Sequence, residues 1–105
     1  MKEYEGYIRL ANAIIVKAVK DYKSQLRVLY RNPKAKGAAE EAKRIERFFH
    51  SGWYSELTTV DADYLIRKVK EQVEEEMKRK AEKEERKLKR QIEAEIEKAK
   101  SSGEL

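Results

Sequence analysis

Four aromatic rings fall within seven positions, at Phe48, Phe49, Trp53 and Tyr54, and a Ser51-Gly52 pair interrupts them. A helix interior disfavours such a pair, because serine competes for backbone hydrogen bonds and glycine loses the most conformational freedom. One helix is therefore expected to end here and another element to begin, with the rings gathered at the junction. Glu46 to Leu57 reads as an aromatic corner between helices, and that corner seeds the core.

The rest of the chain has little apolar material to spare. Of its 105 residues 40% are hydrophobic and 43% charged, a balance that would mark disorder if the apolar residues were scattered. They are periodic, so one small domain is expected. There is no cysteine, hence no disulfide staple and no thiolate chemistry, which suits a reducing compartment. The start, Met1-Lys2-Glu3-Tyr4-Glu5, carries acids and no apolar run, and no window approaches the ~18 apolar residues of a spanning helix. The expectation is a soluble, cytoplasmic protein with no membrane contact. The net charge of +5 belongs to the front of the chain: residues 1–60 hold 12 Lys and Arg against 7 Asp and Glu, and the remainder is balanced. A partner with an acidic surface, protein or nucleic acid, is expected to meet that front part.

From about Tyr4 to Tyr30, Ile8, Ala11, Ile15, Ala18, Tyr22, Leu26 and Leu29 recur three or four positions apart. At 100° per residue they share about a quarter turn of one helix. Arg9, Lys17, Lys20, Arg27 and Arg31 gather on the far side, a basic ridge that no acid interrupts, with Glu3 and Asp21 to one flank. Pro33 and Gly37 then break the helix in a basic loop carrying Lys34 and Lys36. A second helix is expected from about Ala38 to His50, with Ala42, Ile45 and Phe49 inward. Ser51-Gly52 turns the chain, and Trp53 to Leu57 forms one short turn of helix.

Thr58-Thr59-Val60-Asp61 matches a capping box, so a third helix is expected to start near Thr59. It runs without Gly or Pro to about Lys100, roughly 60 Å at 1.5 Å per residue. Leu65, Ile66, Val69 and Val73 make its core face, and beyond Val73 the apolar residues thin to Met77, Ala81, Leu88, Ile92 and Ile96. Glu74 with Lys78, Glu75 with Arg79, Glu76 with Lys80, Glu82 with Arg86 and Glu85 with Lys89 are acid-before-base pairs four apart, each adding about 0.2–0.5 kcal/mol of helix support. Ile66, Met77, Leu88 and Ala99 recur every eleven residues, and the thin stripe is expected to form a homodimer through this C-terminal helix, the alternatives being a lone charged helix or one that docks on another protein.

Nothing here spells catalysis. A lone His50 without a second histidine or a cysteine is no metal site, and Asp61 and Asp63, two apart on a helix, point different ways and read as first-turn caps. No catalytic residue, metal or cofactor is assigned, and an enzyme is not expected. The candidate partner-binding residues are Arg9, Lys17, Lys20, Arg27, Arg31, Lys34, Lys36, Trp53 and Tyr54, the cations for an acidic surface or a phosphate backbone and the rings, where exposed, for stacking.

The segments Ala13-Ile14-Ile15-Val16-Lys17-Ala18-Val19-Lys20-Asp21-Tyr22, Glu46-Arg47-Phe48-Phe49-His50-Ser51-Gly52-Trp53-Tyr54 and Asp61-Ala62-Asp63-Tyr64-Leu65-Ile66 resemble a group of small helical proteins encoded by phages, prophages and integrative elements of Gram-positive bacteria. The resemblance covers about residues 8–73 and carries no catalytic residue over. It implies a non-enzymatic protein that binds and inhibits or modulates a host protein or nucleoprotein, of the anti-CRISPR or another anti-defence type. The alternative is a small basic nucleic-acid-binding regulator. The expected fold is all-α: a small three-helix bundle over residues 1–73 with an aromatic corner, and a charged helical extension over 74–105 that continues its third helix.

Overall fold

The computed structural model describes residues 2–103, all of whose regular elements are helices: α1 Lys2–Arg31, α2 Lys36–Phe49, α3 Gly52–Leu57 and α4 Ala62–Ser101. The fold is all-α, with no strand among the described residues. The chain up to Glu74 makes one compact unit and the chain from Glu75 a second.

In the first unit the periodic faces bury as their spacing requires. Tyr22 and Phe49 are fully enclosed, and Ala42, Ile45, Tyr54, Ile66 and Val69 complete the cluster. Ile15, Ala18, Leu26 and Leu29 of α1 pack against it half-buried, and Ala11 and Val73 are also buried. Ile8, the first residue of the expected inner face of α1, is exposed. The rings meet edge to face, Tyr22 on Phe49 at 5.6 Å and Phe49 on Tyr54 at 5.8 Å, the arrangement the ring quadrupole favours. The two enclosed tyrosines keep their hydroxyls satisfied: Tyr22 donates to Glu46 Oε2 at 2.8 Å and Tyr54 to the Val60 carbonyl at 2.9 Å. Burial, followed by the neighbouring Glu46 carboxylate, raises the Tyr22 pKa far above its ordinary value, so it stays a donor.

The junctions differ from their expected form in two places. α2 begins at Lys36, so Lys36 and Gly37, expected in the loop, lie in its first turn. The turn after α2 falls where expected, at Ser51-Gly52, and is built on Ser51. The Ser51 hydroxyl donates to the Phe48 carbonyl at 2.6 Å and accepts from the Tyr54 amide at 3.2 Å, closing α2 and capping α3 with one side chain. Gly52 has an ordinary negative φ, and a Cβ added there meets nothing within 4 Å. The start of α4 also lies later than the Thr58 capping box would place it. Thr58 is already engaged as the C-cap of α3, its amide donating to the Tyr54 carbonyl and its Oγ1 accepting from the Val60 amide. Asp61 caps α4 instead, its carboxylate accepting from the Tyr64 amide at 2.9 Å.

In the second unit Met77 is buried, whereas Leu88, Ile92 and Ile96 are exposed. Glu75 pairs with Arg79 and Glu76 with Lys80, as their spacing suggests. The expected pairs of Glu82 with Arg86 and Glu85 with Lys89 are not formed among the described residues.

Ser51 and Gly52 thus give opposite expectations in urea denaturation. Ser51→Ala should lose about 1–2 kcal/mol, the usual cost of an N-cap. Gly52→Ala should be neutral or gain up to about 1 kcal/mol, since alanine fits the helix start and restricts the unfolded chain. The reverse order would show that the turn depends on glycine.

Candidate functional site

Of the candidate residues, Arg9, Lys17, Lys20, Arg27 and Arg31 lie on α1, Lys34 in the loop after it, Lys36 at the start of α2, and the rings on α3. Arg9, Lys20 and Arg31 are exposed, as are Lys34 and Lys36, and none of the five forms an ion pair with an acid among the described residues. The ridge is less uniform than expected. Lys17 donates to Asp21 Oδ2 at 3.3 Å, because four positions along a helix bring the two side chains to the same side. Arg27 is half-buried and already engaged within the molecule. The free positive charge is therefore densest from the second half of α1 to the start of α2, at Lys20, Arg31, Lys34 and Lys36.

The two rings part company. Tyr54 is 3% exposed and holds the Val60 carbonyl, so it is a core residue and leaves the set of partner-binding candidates. Trp53 is 57% exposed, although its neighbour is enclosed. Successive helical residues point about 100° apart, so the two could not share one environment. The indole stands edge-on to Phe48 at 5.8 Å, and Phe48 in turn leans on both Phe49 and Tyr54. The indole is thus in contact with the core through Phe48 while more than half of the residue is open to solvent.

Beside Phe48 runs a shallow groove of about 290 Å³ between α1 and α2, floored by Ile14, Ala18, Ile45 and Phe48 and edged by Lys17, Asp21 and Arg44. Each edge cation has a carboxylate of its own, Lys17 with Asp21 and Arg44 with Glu41. The hydrogen bond from Arg44 holds the Glu41 carboxyl below its ordinary pKa. The groove is therefore apolar at its floor and neutralised at its rim. Leu10, 61% exposed, lies one helical turn before Ile14 on the same side and extends the apolar strip along α1. Sequence reasoning missed this surface because its residues come from two elements, α1 and α2. The available signal was that Leu10 and Ile14 are an apolar pair four apart, displaced from the main stripe of α1. At 100° per residue the groove-lining positions of α1 stand about a third of a turn from Arg9, Lys20 and Arg31. Rings and ridge therefore do not form one site, and Lys17 alone of the candidate cations borders the groove.

His50 ends α2 and joins it to the start of α4. Its Nδ1 lies 2.9 Å from the Glu46 carbonyl and its Nε2 2.7 Å from Asp63 Oδ1. Both partners are acceptors, so only the imidazolium, with two N–H donors, satisfies both at once. The hydrogen bond to Asp63, then that to Glu46, raises the His50 pKa above its ordinary 6.5. Both residues of the pair are largely solvated, so the link is a modest clamp. No group of three or more His, Cys, Asp or Glu residues able to hold a metal ion occurs among the described residues. No helix is long and apolar enough to cross a membrane among them.

Comparison with protein-family models, with curated proteins and with solved structures finds no match to this chain.

The clamp has a definite pH sign. With the folded pKa above the unfolded one, its stabilisation is complete below about pH 6.5 and disappears as pH rises through the folded pKa. An NMR titration should find His50 above 6.5 and return it towards that value in Asp63→Asn; an identical titration in both proteins would remove Asp63 as the cause.

Proposed function

We propose that the chain is a non-enzymatic binding protein of a mobile genetic element, acting in the cytoplasm of the host on a protein or nucleoprotein such as a defence effector. The docking face is the apolar strip of Leu10, Ile14, Phe48 and Trp53. We read residues 1–73 as a three-helix bundle of α1, α2 and the start of α4, closed at one end by α3. The setting in a mobile element rests on the resemblance over residues 8–73 alone.

Trp53 carries the reading. A large ring that is more than half open to solvent, yet in contact with Phe48, offers contact area at little cost in side-chain entropy, which is what interface anchors do. The groove beside it has paired its own rim charges and so favours an apolar side chain or the apolar face of a helix over a phosphate backbone. An acidic border on the same partner would meet Lys20, Arg31, Lys34 and Lys36 and speed its approach more than tighten its hold.

A second reading, direct nucleic-acid binding, is favoured by those same four exposed cations. One set of three baits separates the two. Wild type, Trp53→Ala and the fourfold change of Lys20, Arg31, Lys34 and Lys36 to Glu are used for affinity capture from a bacterial lysate, and each is tested for a mobility shift with random DNA and RNA at two salt concentrations. Docking through the groove predicts a protein partner lost about tenfold or more with Trp53→Ala and retained by the charge variant, while the stability of Trp53→Ala changes by no more than about 1 kcal/mol. A steeply salt-dependent shift, abolished in the charge variant and untouched by Trp53→Ala, would replace this reading with the second.

A further inference from the structure

We propose that the end of α4 pairs with the same segment of a second copy of the chain, the two helices running antiparallel about Ile92. Leu88, Ile92 and Ile96 are 56%, 51% and 44% exposed and stand four apart, so three large aliphatic side chains lie along one side of a helix that is otherwise charged. Ile92 and Ile96, with Gln91, Glu95 and Ala99, bound a hollow into which an opposing side chain fits.

The charge order around this stripe says what covers it. From 86 to 91 the charged residues are Arg86, Lys87, Lys89 and Arg90, with no acid; from 92 to 97 they are Glu93, Glu95 and Glu97, with no base. A parallel copy in register would set cations on cations and acids on acids, with Glu85 and Glu95 each facing its own counterpart beside the seam. A copy turned end for end about Ile92 sets Leu88 against Ile96 and lays the basic run 86–90 alongside the acidic run 93–97 of its partner, each contact made twice by the two-fold axis. The segment is complementary to itself in reverse, and a second copy supplies that reverse with no further assumption. Its charges are available for this: Glu82 does not pair with Arg86, nor Glu85 with Lys89, among the described residues, although both spacings permit it.

The full chain is examined by sedimentation equilibrium at about 100 µM, where a pair with a Kd of ~10 µM is mostly associated. The expected result is a dimer that weakens with added salt and becomes monomeric in Ile92→Lys, a change at an exposed position. Because the chain has no cysteine, single replacements in the seam report orientation: Leu88→Cys mixed with Ile96→Cys should form the mixed disulfide, and Leu88→Cys alone should not link to itself. A monomeric wild type, with or without a foreign helix bound, overturns the proposal. So does an Ile92→Lys protein that still dimerises, or self-linking of Leu88→Cys, which would mean parallel chains.

Discussion

Phe49 wedged between Tyr22 and Tyr54 is the contact on which the first unit depends. α1, α2 and α3 each contribute one of these rings, and a chain so rich in charge has few other large side chains to enclose. Each tyrosine brings a hydroxyl into the packing, and each hydroxyl has an acceptor, Glu46 for Tyr22 and the Val60 carbonyl for Tyr54. No buried side-chain polar atom lacks a partner among the described residues. The tyrosines therefore do more than fill space. The first ties α1 to α2, and the second fixes the path of the chain from α3 towards α4.

The outward surface follows from that inward packing. Ser51 stops α2 and starts α3 within a single residue, which sets the phase of the short helix. Once Tyr54 is turned onto Phe49, the residue before it has to point elsewhere, and Trp53 is left over the edge of Phe48. The groove beside it exists because Ile14 and Ala18 flank the main stripe of α1 and meet Ile45 and Phe48 of α2 across a gap that no other side chain of the described residues fills.

Much of this fold is legible in the residues alone, for a physical reason. The inner faces of α1 and α2 repeat at three and four, and burial obeys that repeat: Ala42, Ile45 and Phe49 are all enclosed. Helix ends are harder to read, because Thr58 and Asp61 both carry good capping chemistry and the choice depends on Thr58 being used by α3. The site is harder still. Spacing does not say which of Trp53 and Tyr54 faces the core, since that depends on the phase Ser51 imposes. Nor did the basic ridge, drawn from one helix, allow for Asp21 reaching Lys17 from its flank. A groove assembled from α1 and α2 leaves no mark on either beyond an unexplained Leu10 and Ile14.

The central claim is that the corner encloses Tyr54 and presents Trp53, and because Trp53 is the single tryptophan its fluorescence reports directly on it. In the folded protein the emission should lie close to that of an indole in water, be readily quenched by acrylamide, and shift little when the chain is unfolded in urea. A blue-shifted emission, shielded from acrylamide and moving strongly to the red on unfolding, would place the indole in the core and contradict the account.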